Sequence, residues 1–504
     1  MKRTLLQRRL SVFALALVML AAPGLDVVRT HAAPPQKAGA ATRQAKPLPK
    51  PTPQAGRPAS KPLAEPAPLV NKVLANGLEV IVLEDHSVPL VTVEMAVRNG
   101  SFTETPDLNG LSHLYEHMFF KANRALVNRE EYIKTIDHLG IISNGETREE
   151  IVNYYFTTTS PNFPVAMRFM RDAARFPLFD PGQFETEREA VIAELDRHES
   201  NPYGSIGKEM NNRLFYKYPS RKSPGGSKET VRAATTDMMR LIQSRYYVPN
   251  NSAIVVTGDV APAEVFRHVE DLFGDWERTE DPFKKFPMVE HPALPKSEGA
   301  VLTSPIQNVV IMVGWHGPSI GKDDAATYAA DVFSFILRQP GSRFQRALVD
   351  TGLVTGVGIS YYTQRNVGPI QIVAQTTPDK ARAALKAIYE EVAHFNDRDY
   401  FTDEQLESAK TLLEADDLYQ REKLSEYAHT ISFWWSSTGL EYFRGYLPRL
   451  RATSRADISR YVTTYVQGKP HVGLALMSPE AARASGITPE DLIGPRAGAG
   501  TAGR

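Results

Sequence analysis

The chain has 504 residues, of which 42% are hydrophobic, and its 58 basic residues balance 58 acidic ones. This length exceeds one ordinary domain, so we expect two or more domains with substantial cores. The balanced charge gives no field that would attract nucleic acid or an anionic membrane. Because the chain has no cysteine, disulfides, thiolate metal sites and cysteine nucleophiles are excluded.

The first 32 residues are typical of a cleavable secretory signal. Four of the first nine residues are basic, residues 10–22 form an apolar run, and residues 30–32 form an Ala-x-Ala-like cleavage site. A membrane anchor is the alternative, but this run of 13 residues is short against the roughly 20 that span a bilayer. We therefore expect a periplasmic protein with no stable membrane insertion once residues 1–32 are removed.

The next segment, residues 33–68, is rich in proline, alanine, lysine and glutamine and has almost no large apolar residue. Such a composition cannot bury a core, so it predicts a disordered or extended linker. Ordered elements are predicted from Leu69 onward: strands at 78–83 and 89–97 joined as a hairpin, a helix around 110–118, a strand at 151–158, helices at 164–176 and 180–199, and a strand at 253–257.

The second half of the chain repeats the first. Thr-Ser-Pro at residues 159–161 recurs as Thr-Thr-Pro at 376–378, and Tyr247 recurs as Tyr465, at offsets of 217 and 218 residues. A near-constant offset predicts two copies of one design. We expect an α+β fold of two homologous half-shell domains, at 69–282 and 298–478, each a mixed sheet covered by helices. The proline-rich residues 283–297 are predicted as the linker between them, and residues 479–504 as a flexible tail.

Two histidines, His113 and His117, stand four residues apart with Glu116 just before the second. On a helix these positions lie on one face, so both imidazoles can reach one metal ion. His-x-x-Glu-His is the inverted form of the commoner zinc-protease signature. Apolar residues at 111, 114, 115 and 118 support a helix, with Asp107 or Asn109 as its candidate cap. A pair of ordinary surface histidines is the alternative, because catalytic zinc usually takes three protein ligands.

The third ligand would be a carboxylate or imidazole on a rigid element. The helix predicted to start at Asp180 carries Glu187 and Glu194, seven residues apart and therefore on one face. Glutamates on helices are usually solvated, so the spacing alone leaves open whether Glu194 is a ligand. The corresponding positions of the second half hold Ala409 and Asp416, and residues 325–335 contain no histidine or glutamate, so we expect one metal site per chain.

Five segments, in order, carry a family resemblance: residues 76–80, 110–121, 187–194, 247–252 and 258–259. With them, the chain from about Leu69 to Leu476 resembles the pitrilysin/insulinase family of zinc metallopeptidases, in the two-domain bacterial type related to mitochondrial processing peptidase. The resemblance implies one Zn²⁺ held by His113, His117 and Glu194, with Glu116 as general base. It also implies that Glu187 holds a histidine in orientation.

Asn144 falls where the family places an asparagine beside the strand that pairs with substrate. The alanine that usually follows it is Gly145 here, so this element is expected to be looser. In the family's second domain, an arginine and a tyrosine seven residues apart help to bind substrate. The equivalent positions in this chain are Leu348 and Thr355, neither of which can supply a cation.

Together these features predict an exported zinc-dependent endopeptidase that acts on peptides or small unfolded polypeptides. The missing arginine–tyrosine pair predicts a heterodimer, in which a homologous zinc-less subunit supplies that pair. Weak activity of the single chain, or activity through other residues, is the alternative within the same function. A non-catalytic peptide-binding or assembly subunit is the alternative from a different functional class.

Overall fold

The computed structural model describes residues 68–494. The predicted signal and nearly all of the predicted linker, residues 1–67, lie outside the described residues, as do residues 495–504. No helix in the described range is long and apolar enough to cross a membrane.

The first half of the described chain contains six strands and nine helices. Its strands are β1 (Val70–Val73), β2 (Glu79–Glu84), β3 (Leu90–Val97), β4 (Ile142–Thr147), β5 (Val152–Thr159) and β6 (Ser252–Gly258). Its helices are α1 (Leu111–Phe119), α2 (Arg129–Leu139), α3 (Phe163–Arg175), α4 (Pro181–Ser200), α5 (Gly204–Leu214), α6 (Lys228–Ala233), α7 (Thr236–Tyr246), α8 (Pro262–Phe273) and α9 (Pro282–Lys285).

The second half of the described chain contains five strands and eight helices. Its strands are β7 (Glu298–Thr303), β8 (Val309–His316), β9 (Gly356–Tyr361), β10 (Pro369–Thr376) and β11 (His471–Met477). Its helices are α10 (Asp324–Arg338), α11 (Arg343–Gln345), α12 (Ala381–His394), α13 (Asp403–Arg421), α14 (Leu424–Ser437), α15 (Leu440–Ala452), α16 (Arg455–Tyr465) and α17 (Pro479–Ser485).

The two sheets confirm the predicted repeat. The first has the order β1-β2-β6-β3-β5-β4 and the second β7-β11-β8-β10-β9, so they match apart from the extra edge strand β1. Each has one parallel pair, β2 with β6 and β7 with β11, and the other matching pairs are antiparallel. The predicted hairpin of the strands at 78–83 and 89–97 is wrong, because β6 lies between β2 and β3 and pairs with both. The register also agrees, since Leu90 lies opposite Thr159 as Val309 lies opposite Thr376. The fold is therefore α+β, with two mixed sheets related by an internal repeat.

The central strands are apolar on both faces because both faces of each sheet are covered. In β3, every residue after Leu90 is buried. One face of the first sheet packs on helices of its own half, including α1, α3 and α8. The other face packs on α14, which belongs to the second half: Tyr427, Ala428, Ile431 and Trp435 of α14 contact Ile81, Ala96, Ala253 and Val255.

The exchange of helices is reciprocal. Helix α5 of the first half covers the second sheet, where Ile206, Met210 and Leu214 pack against Val310, Val472, Leu474 and Leu476. The approach is so close that a Cβ at Gly314 would lie 2.6 Å from the sulfur of Met210. Each half therefore completes the core of the other, and local sequence patterns did not reveal this.

Two buried charges fasten the β9–β10 loop of the second half to the first half. The carboxylate of Glu150 accepts the backbone N–H groups of Arg365 at 2.9 Å and of Asn366 at 3.2 Å. The ammonium group of Lys222 donates to the carbonyl oxygens of Asn366 at 2.6 Å and Val367 at 3.0 Å. Because Asn366 is buried and its neighbours are partly buried, these side chains satisfy backbone polar groups that would otherwise be costly to bury.

The prediction of a flexible tail from residue 479 is wrong for the described residues 479–494. Ser478 caps α17, because its side chain accepts the N–H of Ala481. Beyond α17, Leu492 is fully buried and Ile487 is nearly so. These two apolar side chains hold the segment against the second sheet. The residues around them are small or polar, so the sequence shows no apolar pattern that would predict an ordered segment.

Candidate metal centre

Helix α1 presents the two histidines and is held at its start by a residue that sequence reasoning missed. The predicted caps, Asp107 and Asn109, do not cap the helix, and Gly110 takes the N-cap position with a φ of 92° and no side-chain bond. The buried carboxylate of Glu104 instead accepts the N–H groups of Gly110 and Ser112, both at 2.7 Å. A carboxylate at this end also interacts favourably with the helix dipole.

The predicted apolar face of α1 is confirmed. Leu111, Leu114, Tyr115 and Met118 are all buried in the first core, and the ring of Tyr115 lies 4.1 Å from that of Tyr247. Since these residues fix the rotation of the helix, His113 and His117 are turned toward α4.

Helix α4 begins as predicted. The carboxylate of Asp180 accepts the N–H of Gln183 at 2.9 Å, and Pro181 occupies the first turn. Phe184, Val191, Ile192 and Leu195 anchor one side of the helix in the core. Glu187 and Glu194 occupy the side that faces α1.

The structure brings His113, His117 and Glu194 together. The Oε2 atom of Glu194 lies 3.9 Å from Nε2 of His113 and 3.6 Å from Nε2 of His117. One ligand atom from each residue lies within 4.8 Å of the others, and no other group of three such residues occurs in the described range. Two imidazoles and one carboxylate are a donor set that zinc commonly takes in catalytic sites, so these residues fit the metal that the resemblance implies.

Glu187 lies next to the other nitrogen of His117. Its Oε2 is 3.2 Å from Nδ1 of His117, and its Oε1 is 2.8 Å from the ammonium group of Lys121. Such an outer carboxylate fixes the tautomer and orientation of a ligating histidine. The Nδ1 atom of His113 is buried and has no hydrogen-bond partner among the described residues, so this support is given to one imidazole only.

Burial and neighbouring charges separate the protonation states of the site. Burial, followed by the nearby His117, lowers the pKa of His113 to about 4, which keeps its nitrogen free to bind a metal. Burial also acts to lower the pKa of His117, but the hydrogen bond to Glu187 and the nearby carboxylate of Glu194 outweigh it and raise that pKa to about 9. The nearby imidazole of His117 is the main cause that lowers the pKa of Glu194 to about 2. A divalent cation would displace the His117 proton, because ligation takes the neutral imidazole.

Glu116 lies against the edge strand β4. Its Oε2 accepts the hydroxyl of Thr147 at 2.8 Å, and burial raises its pKa to about 7. A Cβ at Gly145 would lie 2.9 Å from Cγ of Glu116. The glycine that replaces the family's alanine therefore gives space to the glutamate.

Asn144 does not join this group. Successive side chains of a strand point to opposite faces, and Gly145 and Thr147 face Glu116, so Asn144 points away from it. Its side chain lies beside the hydroxyl of Tyr155, its partner across the β4–β5 pair. Asn144 reaches the neighbourhood of the site only through the backbone of β4, the last strand of its sheet.

The second half holds no comparable site in its described residues. Thr402 caps α13 through Gln405, as Asp180 caps α4 through Gln183. In this alignment Glu187 and Glu194 correspond to Ala409, which is fully buried, and Asp416, which accepts a hydrogen bond from Gln420.

The two positions expected to lack a cation do so in the structure. Leu348 is fully buried in the second core, and the hydroxyl of Thr355 donates to the carbonyl of Gln375 at 3.1 Å. The nearby Arg343 is paired with Glu391 and Asp397.

One further side chain at the site was not predicted. Nε2 of His198 lies 4.0 Å from Oε1 of Glu194. Its spacing of four residues from Glu194 is the signal that could have identified it, since this spacing returns to the same face of α4.

Comparison with known proteins agrees with this geometry. Residues 79–223 match the family model described as insulinase (peptidase family M16), and residues 233–413 match the model of the peptidase M16 inactive domain. The chain belongs to the M16 insulinase family of peptidases. The insulinase match lies within the half that carries the metal ligands, and the inactive-domain match begins at residue 233, near the end of that half, and extends through much of the second half.

Its relatives include proteins named as zinc proteases. The chain is 24% identical to the uncharacterized zinc protease YmxG of Bacillus subtilis, over 66% of this chain and 80% of that protein. It is 24% identical to the zinc protease PqqE of Helicobacter pylori, over 62% of this chain and 72% of that protein. These names support a metallopeptidase role with zinc as the metal.

Solved structures share the fold. A protease from Helicobacter pylori matches with a TM-score of 0.74 at 21% identity, covering 82% of this chain and 100% of that one. An M16-like peptidase from Alicyclobacillus acidocaldarius matches with a TM-score of 0.72 at 19% identity, over 82% of this chain and 100% of that one. The first half of the periplasmic protease PqqL from Escherichia coli matches with a TM-score of 0.68 at 15% identity, over 84% and 95% of the two chains.

Proposed function

We propose that this chain is an exported zinc-dependent endopeptidase that cleaves peptides or small unfolded polypeptides. The observation that carries the proposal is the convergence of His113, His117 and Glu194, contributed by two separate helices, beside the carboxylate of Glu116. A chance His-x-x-Glu-His pattern on a surface helix would have no reason to meet a carboxylate from an element more than 70 residues away in sequence.

In this proposal His113, His117 and Glu194 hold one Zn²⁺, and Glu187 keeps His117 in orientation. When bound, zinc supplies Lewis acidity, which polarises a peptide carbonyl and makes water more acidic. Glu116 accepts a proton from the attacking water and passes it to the leaving amine. Its carboxylate is held in place by the hydroxyl of Thr147 at 2.8 Å, so it is positioned to take part in both proton transfers.

Substrate backbone would pair with the free edge of β4 as an added strand. This mode takes its affinity from main-chain hydrogen bonds and so tolerates different side chains. Thr147 and Gly145 of β4 both lie against Glu116, so a peptide on this edge would run past the general base. Asn144 would contribute to substrate binding through its position on the same strand.

We further propose that a homologous zinc-less subunit supplies the arginine–tyrosine pair. Burial of Leu348 and the hydrogen bonding of Thr355 support this, because neither position offers a donor to substrate. The signal-like residues 1–32 support export to the periplasm, and the structurally similar PqqL of Escherichia coli is itself a periplasmic protease.

A non-catalytic peptide-binding or assembly subunit is the competing function. It would have no need for a buried base next to three convergent ligands, and the arrangement around Glu116 therefore favours the enzyme. The test is hydrolysis of a quenched fluorescent peptide library by the zinc-loaded chain, with and without chelator. We expect chelator-sensitive cleavage that Glu116→Gln reduces by about 10²–10⁴-fold without loss of bound zinc. Cleavage that survives this substitution would exclude the role of Glu116.

The proposed partner is tested separately. We expect a zinc-less homologue from the same organism to co-purify with the chain and to increase its turnover. Full activity of the purified single chain, with no gain when the homologue is added, would refute the heterodimer.

A further inference from the structure

Helix α4 presents three functional side chains along one stripe. Glu187, Glu194 and His198 lie at relative positions 0, 7 and 11, which return to nearly the same face of an α-helix. Glu187 lies beside Nδ1 of His117, and Glu194 lies beside Nε2 of both ligand histidines. His198 continues the stripe by one turn.

His198 lies on the solvent side of the ligand group. Nε2 of its ring is 4.0 Å from Oε1 of Glu194, whereas the other oxygen of that carboxylate faces His113 and His117. Its side chain is 45% exposed, compared with 22% for Glu194. A group in this position is accessible to a substrate that approaches the metal from the open side.

The geometry does not make His198 a fourth ligand. The cluster whose donor atoms all lie within 4.8 Å of one another contains His113, His117 and Glu194, and His198 is not part of it. At 4.0 Å from Glu194, Nε2 is also beyond hydrogen-bond distance. The N–H of the imidazole is therefore free to donate to a substrate.

Peptide hydrolysis at this site requires a donor that the second half does not provide. The tetrahedral intermediate carries a developing negative charge on the former carbonyl oxygen, and a fixed donor aimed at that oxygen lowers the barrier. Leu348 is fully buried, and Thr355 already donates to the main chain. The side chain of His198 lies next to the ligands and makes no hydrogen bond to any described residue.

We propose that His198 is a catalytic residue that donates a hydrogen bond to the oxygen of the tetrahedral carbon during peptide hydrolysis. The inference rests on the proposed peptidase function and names the donor that acts within this chain. The imidazole can donate, since at least one of its nitrogens carries a proton in either tautomer. No proton leaves it, because the proton transfers of the reaction belong to Glu116.

The chain offers a matched control in His268. It lies on α8, and its Nε2 is 3.6 Å from Oε1 of Glu264, which stands four residues earlier as Glu194 does before His198. Its ring also packs on Phe163. A leucine at either position removes an imidazole that lies beside a glutamate of the same helix. An effect that is confined to His198 therefore reports its place beside the metal centre.

The experiment compares the zinc-loaded full chain with His198→Leu, His198→Gln and His268→Leu. Three quantities are measured: kcat and KM on a quenched fluorescent peptide, the zinc dissociation constant by chelator competition, and the affinity for a phosphinic analogue of the same peptide. Phosphinic peptides imitate the tetrahedral carbon, so their affinity reports binding of the transition state without turnover.

We expect His198→Leu to lower kcat by about 10²–10³-fold and to weaken phosphinic-peptide binding in parallel. KM and zinc affinity should stay at the wild-type values, because the donor acts only in the transition state. His198→Gln, which keeps an N–H, should recover part of the loss, and His268→Leu should behave as wild type.

Unchanged kcat in His198→Leu would overturn the inference, and so would a loss of zinc affinity large enough to account for the loss of activity. A result of the second kind would make His198 a ligand or a support for Glu194. If the wild-type chain with zinc neither cleaves the peptide nor binds the phosphinic analogue, both alone and with the zinc-less homologue, the peptidase proposal fails first and His198 loses its role with it.

Discussion

Replacement of Glu104 by glutamine tests how the metal-bearing helix is held. Glu104 is buried, and its carboxylate accepts N–H groups of Gly110 and Ser112 at 2.7 Å and the side-chain amide of Asn109 at 3.2 Å. Burial nevertheless dominates and raises its pKa from 4.5 to about 7. The folded protein thus binds a proton at Glu104 in a range where the unfolded chain has already released it.

The sign of the pH dependence follows from this difference. Between pH 4.5 and about 7 the folded state binds more protons at Glu104, so the free energy of unfolding falls as pH rises through this window. The contribution is fully present below pH 4.5 and is lost above about 7. A difference of about 2.5 pKa units corresponds to roughly 3 kcal/mol.

Glutamine removes the titration but also replaces one accepting oxygen with an NH₂ group. The amide would leave one N–H at the start of α1 without an acceptor, which costs about 1–3 kcal/mol. Near pH 4.5 we therefore expect Glu104→Gln to be less stable than wild type by about that amount. Towards pH 8 the wild-type protein loses roughly 3 kcal/mol that the variant does not lose, so the difference should close or reverse.

The measurement is urea unfolding of the metal-free protein, followed by circular dichroism at several pH values across this window. Glu189→Gln, on the exposed side of α4, is the control for replacing a glutamate at the surface. A stability difference between Glu104→Gln and wild type that does not change with pH, or that grows as pH rises, would refute the reasoning about burial.

Three further outcomes follow from the structure. Glu187→Gln should weaken zinc binding by about 10–100-fold, because the amide holds His117 less firmly than the carboxylate does. An unchanged zinc dissociation constant would contradict the role of Glu187 in orienting His117. Met210→Ala should lower the free energy of unfolding, measured with urea, by about 2–5 kcal/mol, because α5 fills the core of the other half. An unchanged free energy of unfolding would mean that this helix is not docked in solution. Chelator should lower the melting temperature of the wild-type protein by mass action but should not change that of His113→Ala. Equal shifts in both proteins would argue against zinc at His113, His117 and Glu194.

The reciprocal exchange of α5 and α14 bears on how the enzyme handles substrates. Each helix fills a face of the other half's sheet, and Glu150 and Lys222 bind the same loop from two sides. Opening the two halves would expose both apolar faces and two buried charges. We therefore expect the two halves to keep their arrangement during turnover, and peptides to reach the site without separation of the halves.

Much of the site was predictable because its parts are local. The spacing of His113 and His117 sets both on one face of a helix, whatever that helix packs against. The same holds for Glu187 and Glu194 on α4, whose start is fixed by Asp180 and the following proline. The repeat was also readable, since two copies of one fold keep similar turn and cap residues at a near-constant offset.

Only the tertiary structure decided which of these local faces meet. Glu104 holds the start of α1, in place of the predicted caps Asp107 and Asn109, because a turn of the chain brings residue 104 back to the helix start. The position of Glu116 against β4 and the meeting of Glu194 with the two histidines depend on how α1 packs against β4 and α4.

The sequence by itself determined several of the helices and strands, their repetition and the chemical types of the metal-binding side chains, because periodicity and caps act over one or two turns. The exchange of α5 and α14 and the ordered segment at 479–494 were decided by the folded structure. The physical reason is that an apolar face must be buried, but its sequence does not specify which surface will cover it. Many surfaces can cover such a face, and the packing of the whole chain selects the one that does.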